Sequence, residues 1–291
     1  MRKFLIPQLI SMCNILVTGS NGQLGSQLRE LASEYLNFNF FFTDKSMLDI
    51  TLYKSVKEFI INNKINAIIN CAAYTDVQKA ENEFNLANAV NHLAVANFAE
   101  LAKKYDIRLI HISTDYVFDG ECDRPYNEFD ITNPQTVYGQ TKLNGELKMR
   151  KINPKQSIII RTSWLYSTHG NNFFNNILLK ASKNDKIEVV NDQIGSPTNA
   201  IDLARAILHI IPKLKNDQVE VYHYSNEGYC SWYEFAKAIL NFYKKPVKLN
   251  SIKTNKLNAM VKRPKYSVLD SSAIKNKFKL AMKEWNENFI F

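Results

Sequence analysis

The 291-residue chain predicts an α/β fold: a doubly wound parallel sheet with a smaller C-terminal lobe. Three observations point there. From Asn14 to about Arg161, short apolar runs alternate with amphipathic ones, the order that builds a parallel sheet with helices on both faces. A glycine-rich turn follows the first apolar run directly. Beyond Tyr166 the alternation becomes irregular, as expected of a lobe built onto the first unit.

In order, Asn14–Thr18 is apolar and partly β-branched, so it reads as a strand, and the amphipathic run through Leu36 reads as its helix. Between them stands Gly19-Ser-Asn-Gly22-Gln-Leu-Gly25, with the spacing G-x-x-G-x-x-G. Glycines there allow a tight turn and close backbone approach, and the helix N-terminus faces a pyrophosphate. Strand, glycine turn and helix together predict a Rossmann-like dinucleotide site. Phe38–Thr43 reads as strand two and ends at Asp44-Lys45. An acid about 20 residues past the glycines suits an adenosine ribose. Lys45 suits a 2′-phosphate instead, so NADPH and NADH both stay open. Asp49 and Ile50 follow at a turn, where Asp49 could simply start a helix.

Tyr53–Asn63 has helical period, Ala67–Cys71 reads as a buried strand, and Ala72, Ala73, Tyr74 and Thr75 extend past its carboxyl end. Val77–Lys104 reads as one long helix with Asn91 in its middle, either solvated or a kink that holds a water near the site. Leu109–Ser113 is the next strand. Thr114 then falls at the end of the sheet where ligands bind, and His111 is assigned to packing. A long polar loop leads to Pro134. Ser157–Arg161 completes the alternation. In the second half Phe173–Lys183, a segment ending near Ile210, and Ser231–Phe242 read as helices, while Ile187–Val190 and Val219–Tyr224 read as extended. Ser231 and Glu234 form a capping box. Residues 1–12 read as an N-terminal extension, 13–165 mainly as the NAD(P)-binding unit, and 166–291 mainly as the substrate-binding lobe, with some segments returning to the first unit.

The chemistry centres on Tyr138-Gly-Gln-Thr-Lys142. Residues four apart on a helix share a face, so phenol and ammonium should project together. A lysine charge would pull the phenol from its usual pKa of about 10 towards neutrality, where it can exchange protons. Alone, the pattern is short, and a chance surface pair explains most instances of it.

Composition narrows the classes. With 45% hydrophobic and 22% charged residues the chain is an ordinary globular protein. Its net charge of +9 comes from scattered lysines with no basic helix or RNP-like motif, which argues against nucleic acid and suits a diphosphate-bearing substrate. Four dispersed cysteines without C-x-x-C fit a reducing cytoplasm. No run approaches the ~20 apolar residues of a membrane span.

Eight segments in order resemble the dTDP-4-dehydrorhamnose reductase family of the extended short-chain dehydrogenase/reductase superfamily, over about Asn14 to Asp270. They include Val17-Thr-Gly-Ser-Asn-Gly-Gln-Leu-Gly25, Asn70-Cys-Ala-Ala-Tyr-Thr-Asp-Val77, Ser113-Thr-Asp-Tyr-Val-Phe-Asp-Gly120 and Val137-Tyr-Gly-Gln-Thr-Lys142. Arg161-Thr-Ser-Trp-Leu-Tyr166, Gln193-Ile-Gly-Ser-Pro-Thr198, Ser231-Trp-Tyr-Glu-Phe235 and Arg263-Pro-Lys-Tyr-Ser-Val-Leu-Asp270 complete the set. The resemblance implies Thr114, Tyr138 and Lys142 as the catalytic trio. It places a coenzyme on Gly19, Asn21, Gly22, Gln23, Leu24, Gly25, Asp44, Lys45, Asp49 and Ile50. Cys71, Ala72, Ala73, Tyr74, Asn91, Tyr138 and Lys142 continue that site. Thr75, Thr114, Tyr138, Trp164 and Arg263 would face a dTDP-sugar. NADPH is the implied coenzyme, with NADH an alternative. The resemblance leaves open a homodimer and Mg²⁺, which some members bind through glutamates at a dimer contact, but no metal ligands can be assigned here. Cys71 and Gln78 replace the family's Ala and Asp, and Ser167 its Gly; none touches the trio. The implied activity is reduction of a sugar C4 ketone. Rivals are another nucleotide-sugar 4-keto reductase or epimerase, and a non-catalytic regulatory subunit of a methionine adenosyltransferase, which the intact trio disfavours.

Overall fold

In the computed structural model, which describes residues 12–256, 261–287 and 289, six strands form one parallel sheet. The expected extension lies outside the described residues except for Met12. The strands are Cys13–Thr18 (β1), Phe38–Thr43 (β2), Ala67–Asn70 (β3), Arg108–Thr114 (β4), Ser157–Thr162 (β5) and Glu220–Tyr224. Across the sheet the order is Glu220–Tyr224, β5, β4, β3, β1, β2. Because β2 and β3 flank β1 on opposite sides, the winding reverses between β1 and β3. A crevice opens beyond the carboxyl ends of those two strands.

Strand residues alternate between faces, and both faces are covered. Ile15, Val17, Ile69, Ile110 and Ile160 pack with Leu24 and Leu28 of Gln23–Leu31 (α1) and with Leu203 and Ile207 of the helix Ala200–Ile210. Leu16, Ile68, Leu109 and Ile159 pack the other way. They meet Val56 and Ile60 of Tyr53–Asn62 (α2), Phe98 of the helix Ala94–Tyr105, and Met149 of the helix Val137–Ile152. A separate core of Tyr166, Phe174, Ile177, Ile187, Phe235 and Ile239 holds the C-terminal elements together. The Ser231–Glu234 capping box is formed as expected and starts the helix Trp232–Phe242.

Three elements differ from the sequence reading. α1 stops at Leu31 and passes into a 3₁₀ turn, Ala32–Glu34, before reaching Leu36. The expected single helix over 77–104 is broken into Val77–Ala80, Phe84–Asn88, a π-helical turn Ala89–Leu93, and Ala94–Tyr105. Lys248–Ile252 is a strand paired in parallel with Lys186–Val190, an element that its lysine-rich surroundings concealed.

The helix Val137–Ile152 carries Tyr138 and is fixed at several points. Thr136 caps it by accepting from the Gly139 N–H at 3.0 Å. A Cβ at Gly145 would stand 2.2 Å from the Asn91 carbonyl oxygen, so only glycine lets the helix lie against the π turn. From β5, Arg161 reaches Glu146 in an ion pair of 2.7 Å, with side chains 3% and 1% exposed. Ser113 donates to the same carboxylate. Removing one member of such a pair strands a buried charge, at a cost of about 3–5 kcal/mol. Arg161→Met should therefore lower the urea-unfolding free energy by about that much. Arg161→Met combined with Glu146→Leu should lose less than Arg161→Met alone.

Candidate active site

The glycine turn is built by backbone contact. Gly19 has φ +63, and a Cβ on it would stand 2.8 Å from the backbone of Ala72. A Cβ on Gly25 would stand 2.5 Å from the Gly19 carbonyl oxygen. The turn is thereby seated on the residues that follow β3. α1 begins there with Gly22 as N-cap and has neither a side-chain cap nor an acid in its first turn. Its first N–H groups and the positive end of its dipole are left for an anion. Gln23 Oε1 accepts from Asn172 Nδ2 at 2.8 Å and so ties the turn to the N-cap of the helix Phe173–Ala181.

A cavity of about 940 Å³ extends from this turn to the trio. Gly19, Asn21, Gly22, Gln23, Leu24, Gly25, Asp44, Lys45, Asp49, Ile50 and Cys71 through Thr75 all line it, as do Thr114, Tyr138, Lys142 and Trp164. At its rim Asp44 accepts from Asn21 Nδ2 at 2.6 Å, and hydrogen bonds from the Ser46 hydroxyl and the Met47 N–H hold its carboxyl below the usual range. Asp49 accepts from the Thr51 hydroxyl at 2.6 Å and shapes the turn before α2.

Two expected site residues do not line the cavity. Asn91 is fully buried and does not line the cavity. It does not face solvent. Its Oδ1 accepts from the Tyr74 N–H at 2.9 Å, while Nδ2 donates to the Tyr74 carbonyl at 3.0 Å and to Thr141 Oγ1 at 3.1 Å. The π turn aims the side chain at this backbone, so Asn91 shapes the cavity wall from behind. Arg263 is exposed and acts on Tyr116 through its charge, outside the cavity lining.

The trio converges, though not as helical spacing alone suggests. Burial pushes the Tyr138 phenol up; a hydrogen bond with Thr114 opposes this and the Asp115 charge adds to it. The expected pull towards neutrality is absent. Lys142 is fully buried and its Nζ donates to the Ile112 carbonyl at 2.6 Å. Burial lowers Lys142 to about 8, with Glu146 and Cys71 working the other way. Thus the phenol is a protonated group at neutral pH and the lysine is the member that titrates nearby. Thr114 Oγ1 donates to Asp115 Oδ1 at 2.9 Å, and burial raises that carboxyl to about 6.

Several lining residues went unassigned in the sequence. Asp115 and Tyr116 follow Thr114 in a 3₁₀ turn, and the Tyr116 ring meets Tyr138 edge-on at 5.5 Å. A Cβ at Gly139 would stand 2.2 Å from the Tyr116 carbonyl oxygen, so that glycine admits the contact. Trp164, at φ +47, stacks on Trp232 with ring centroids 3.5 Å apart, and Phe173 lies against Trp232 at 4.4 Å. The Trp232 segment carried the family resemblance, but nothing local to it signals a contact across 68 residues. His111 is packed within the sheet, as expected, and ends a polar chain there: its Nδ1 is 3.1 Å from Asn70 Nδ2. Among the described residues no group of three or more His, Cys, Asp or Glu is arranged to hold a metal.

A dinucleotide cradle at the switch point, opening into one cavity with Thr, Tyr and Lys, defines an enzyme of the extended short-chain dehydrogenase/reductase class. The chain belongs to the family described as the RmlD substrate binding domain, whose model matches residues 13–289. It is 38% identical to the dTDP-4-dehydrorhamnose reductase of Aggregatibacter actinomycetemcomitans over 94% of this chain and 96% of that one. It is 33% identical to a dTDP-4-keto-6-deoxy-D-glucose reductase of Streptomyces niveus, over 93% of each. The crystal structure of the Bacillus anthracis dTDP-4-dehydrorhamnose reductase in complex with NADP superposes with a TM-score of 0.89 at 37% identity, covering 95% of this chain and 96% of that chain.

A Cβ at Gly195 would stand 2.4 Å from the Trp164 indole. Gly195→Ala should part the Trp164–Trp232 stack, read as a shift of tryptophan emission with the far-ultraviolet circular dichroism unchanged. Gly19→Ala should weaken dinucleotide binding by at least about tenfold, or ~1.4 kcal/mol, in a fluorescence titration.

Proposed function

We propose that this protein reduces the C4 ketone of dTDP-4-dehydro-β-L-rhamnose to dTDP-β-L-rhamnose with NADPH, the reductive step that supplies a cell-surface sugar precursor. The observation that carries the reading is one cavity joining a bare glycine turn to Thr114, Tyr138 and Lys142, in a chain similar over its length to such reductases. The uncapped start of α1 and the close Gly19–Ala72 approach fit a dinucleotide diphosphate, and the NADP complex of a relative supports the choice of coenzyme.

A nicotinamide dinucleotide held by the Gly19–Gly25 turn would supply the hydride for the ketone carbon. Tyr138, kept protonated by burial, gives its proton to the ketone oxygen as negative charge develops there. The Thr114 hydroxyl, which donates to Asp115 at rest, turns to the same oxygen when that becomes the stronger acceptor. Lys142, which lines the same cavity as Tyr138, would hold the nicotinamide ribose. Trp164 and Trp232 form an apolar wall against which a 6-deoxy sugar can pack.

A second reading, reduction of another dTDP-4-keto sugar, is favoured by the Streptomyces relative, and product identity separates the two. The enzyme works in the cytoplasm on this reading, where its four free thiols persist. Among the described residues no helix is long and apolar enough to cross a membrane. A homodimer is part of the proposal, supported by exposed Leu93 and Leu147 on contacting helical segments.

The test is NADPH oxidation with the keto sugar generated in situ. Tyr138→Phe should lose about 10²–10⁴-fold in kcat with unfolding unchanged; near-full activity would sink the assignment. The pH profile has a calculable sign. The Lys142 ammonium is present below about 8 and lost above it, so kcat/KM should fall as pH rises through that value. Lys142→Arg should keep the charge and remove the fall from any residual activity.

A further inference from the structure

The register of β1, β3 and β4 places Thr18 opposite Asn70 and Asn70 opposite His111, joining the carboxyl ends of β1 and β3 to the middle of β4. All three side chains are buried, His111 completely. They form one directed chain. The Ala72 N–H donates to Thr18 Oγ1 at 3.4 Å, and Thr18 donates to Asn70 Oδ1 at 2.7 Å. That leaves Asn70 Nδ2 facing His111 Nδ1 at 3.1 Å. An amide nitrogen only donates, so Nδ1 must accept and the single proton of the neutral ring must sit on Nε2. Burial and the Lys142 charge both hold the ring neutral, well below its usual range.

Nε2 lies 3.5 Å from Lys142 Nζ, whose other contact is the Ile112 carbonyl at 2.6 Å. A ring N–H can bond only the lone pair of an uncharged amine, and it opposes an ammonium. We propose that His111 is a positioning residue for Lys142, held as the Nε2–H tautomer by the Thr18–Asn70 chain so that its N–H opposes the ammonium and favours the neutral amine. When Lys142 is uncharged, its lone pair accepts from the His111 N–H. The other titratable groups acting on Lys142 are Glu146, from its own helix, and Cys71, after β3. Both favour the charged lysine and burial opposes them; on this proposal the His111 N–H, 3.5 Å from Nζ, works with burial.

This inference rests on the proposed role of Lys142, but its main readout does not need turnover. Protein labelled with ¹⁵N-histidine, followed by NMR from about pH 5 to pH 9, should show His111 as the Nε2–H tautomer throughout. Its ring signals should move once, with the Lys142 midpoint near 8, and that transition should vanish in Lys142→Met. Asn70→Leu frees Nδ1 to take the proton, so Nε2 can accept from the ammonium. The alkaline limit of kcat/KM should then move up by about half a pH unit or more, with kcat reduced about tenfold against the ~10²–10⁴ of a positioned acid–base group. A dominant Nδ1–H tautomer, or ring signals unmoved through the Lys142 midpoint, would overturn the inference. Absence of turnover with the keto sugar, with the ring signals behaving as described, would remove the proposed substrate and leave the relay standing.

Discussion

The register of β1, β3 and β4 is the constraint on which the site depends. It sets Gly19 against Ala72, brings Thr114 to the end of β4, and aligns Thr18, Asn70 and His111 beneath Lys142. A slip of one residue would send these side chains to the opposite face of the sheet. The register is secured by apolar burial on both faces, where Ile15 and Leu16, or Ile68 and Ile69, serve different cores. Fold and chemistry are therefore specified by the same strands, with the core residues fixing where the polar ends stand.

Burial then decides the protonation states. It raises the Tyr138 phenol and the Asp115 carboxyl and lowers Lys142. Desolvation outweighs the mutual attraction that helical spacing suggests, because Nζ is turned down to the Ile112 carbonyl. The outcome suits reduction of a ketone: a phenol kept as an acid, above a lysine whose charge is only marginally held. The Arg161–Glu146 pair behind the helix anchors this arrangement and tempers the loss of charge on Lys142.

What was legible in the sequence was local. The strands, the glycine turn, the Ser231 capping box and the Tyr138 helix each carry their cause within a few residues. The lining of the cavity by the glycine turn, Asp44, Ala72 and Thr114 followed from strand ends alone. What was not legible depended on partners distant in the chain. Asn91 is aimed by a π turn that no periodicity announces, at a backbone 17 residues earlier. The Trp164–Trp232 stack and the His111 chain join segments whose meeting only the fold decides. Arg263 carried the family pattern, yet the chain leaves it outside the cavity.

The central claim is a hydride delivered to C4 of a dTDP-keto sugar, with Tyr138 as the acid. The most direct measurement is NMR of the product formed with coenzyme deuterated at the transferring position. The account predicts dTDP-β-L-rhamnose bearing one deuterium at C4. A product with the opposite C4 configuration, or one without deuterium at that carbon, would contradict it.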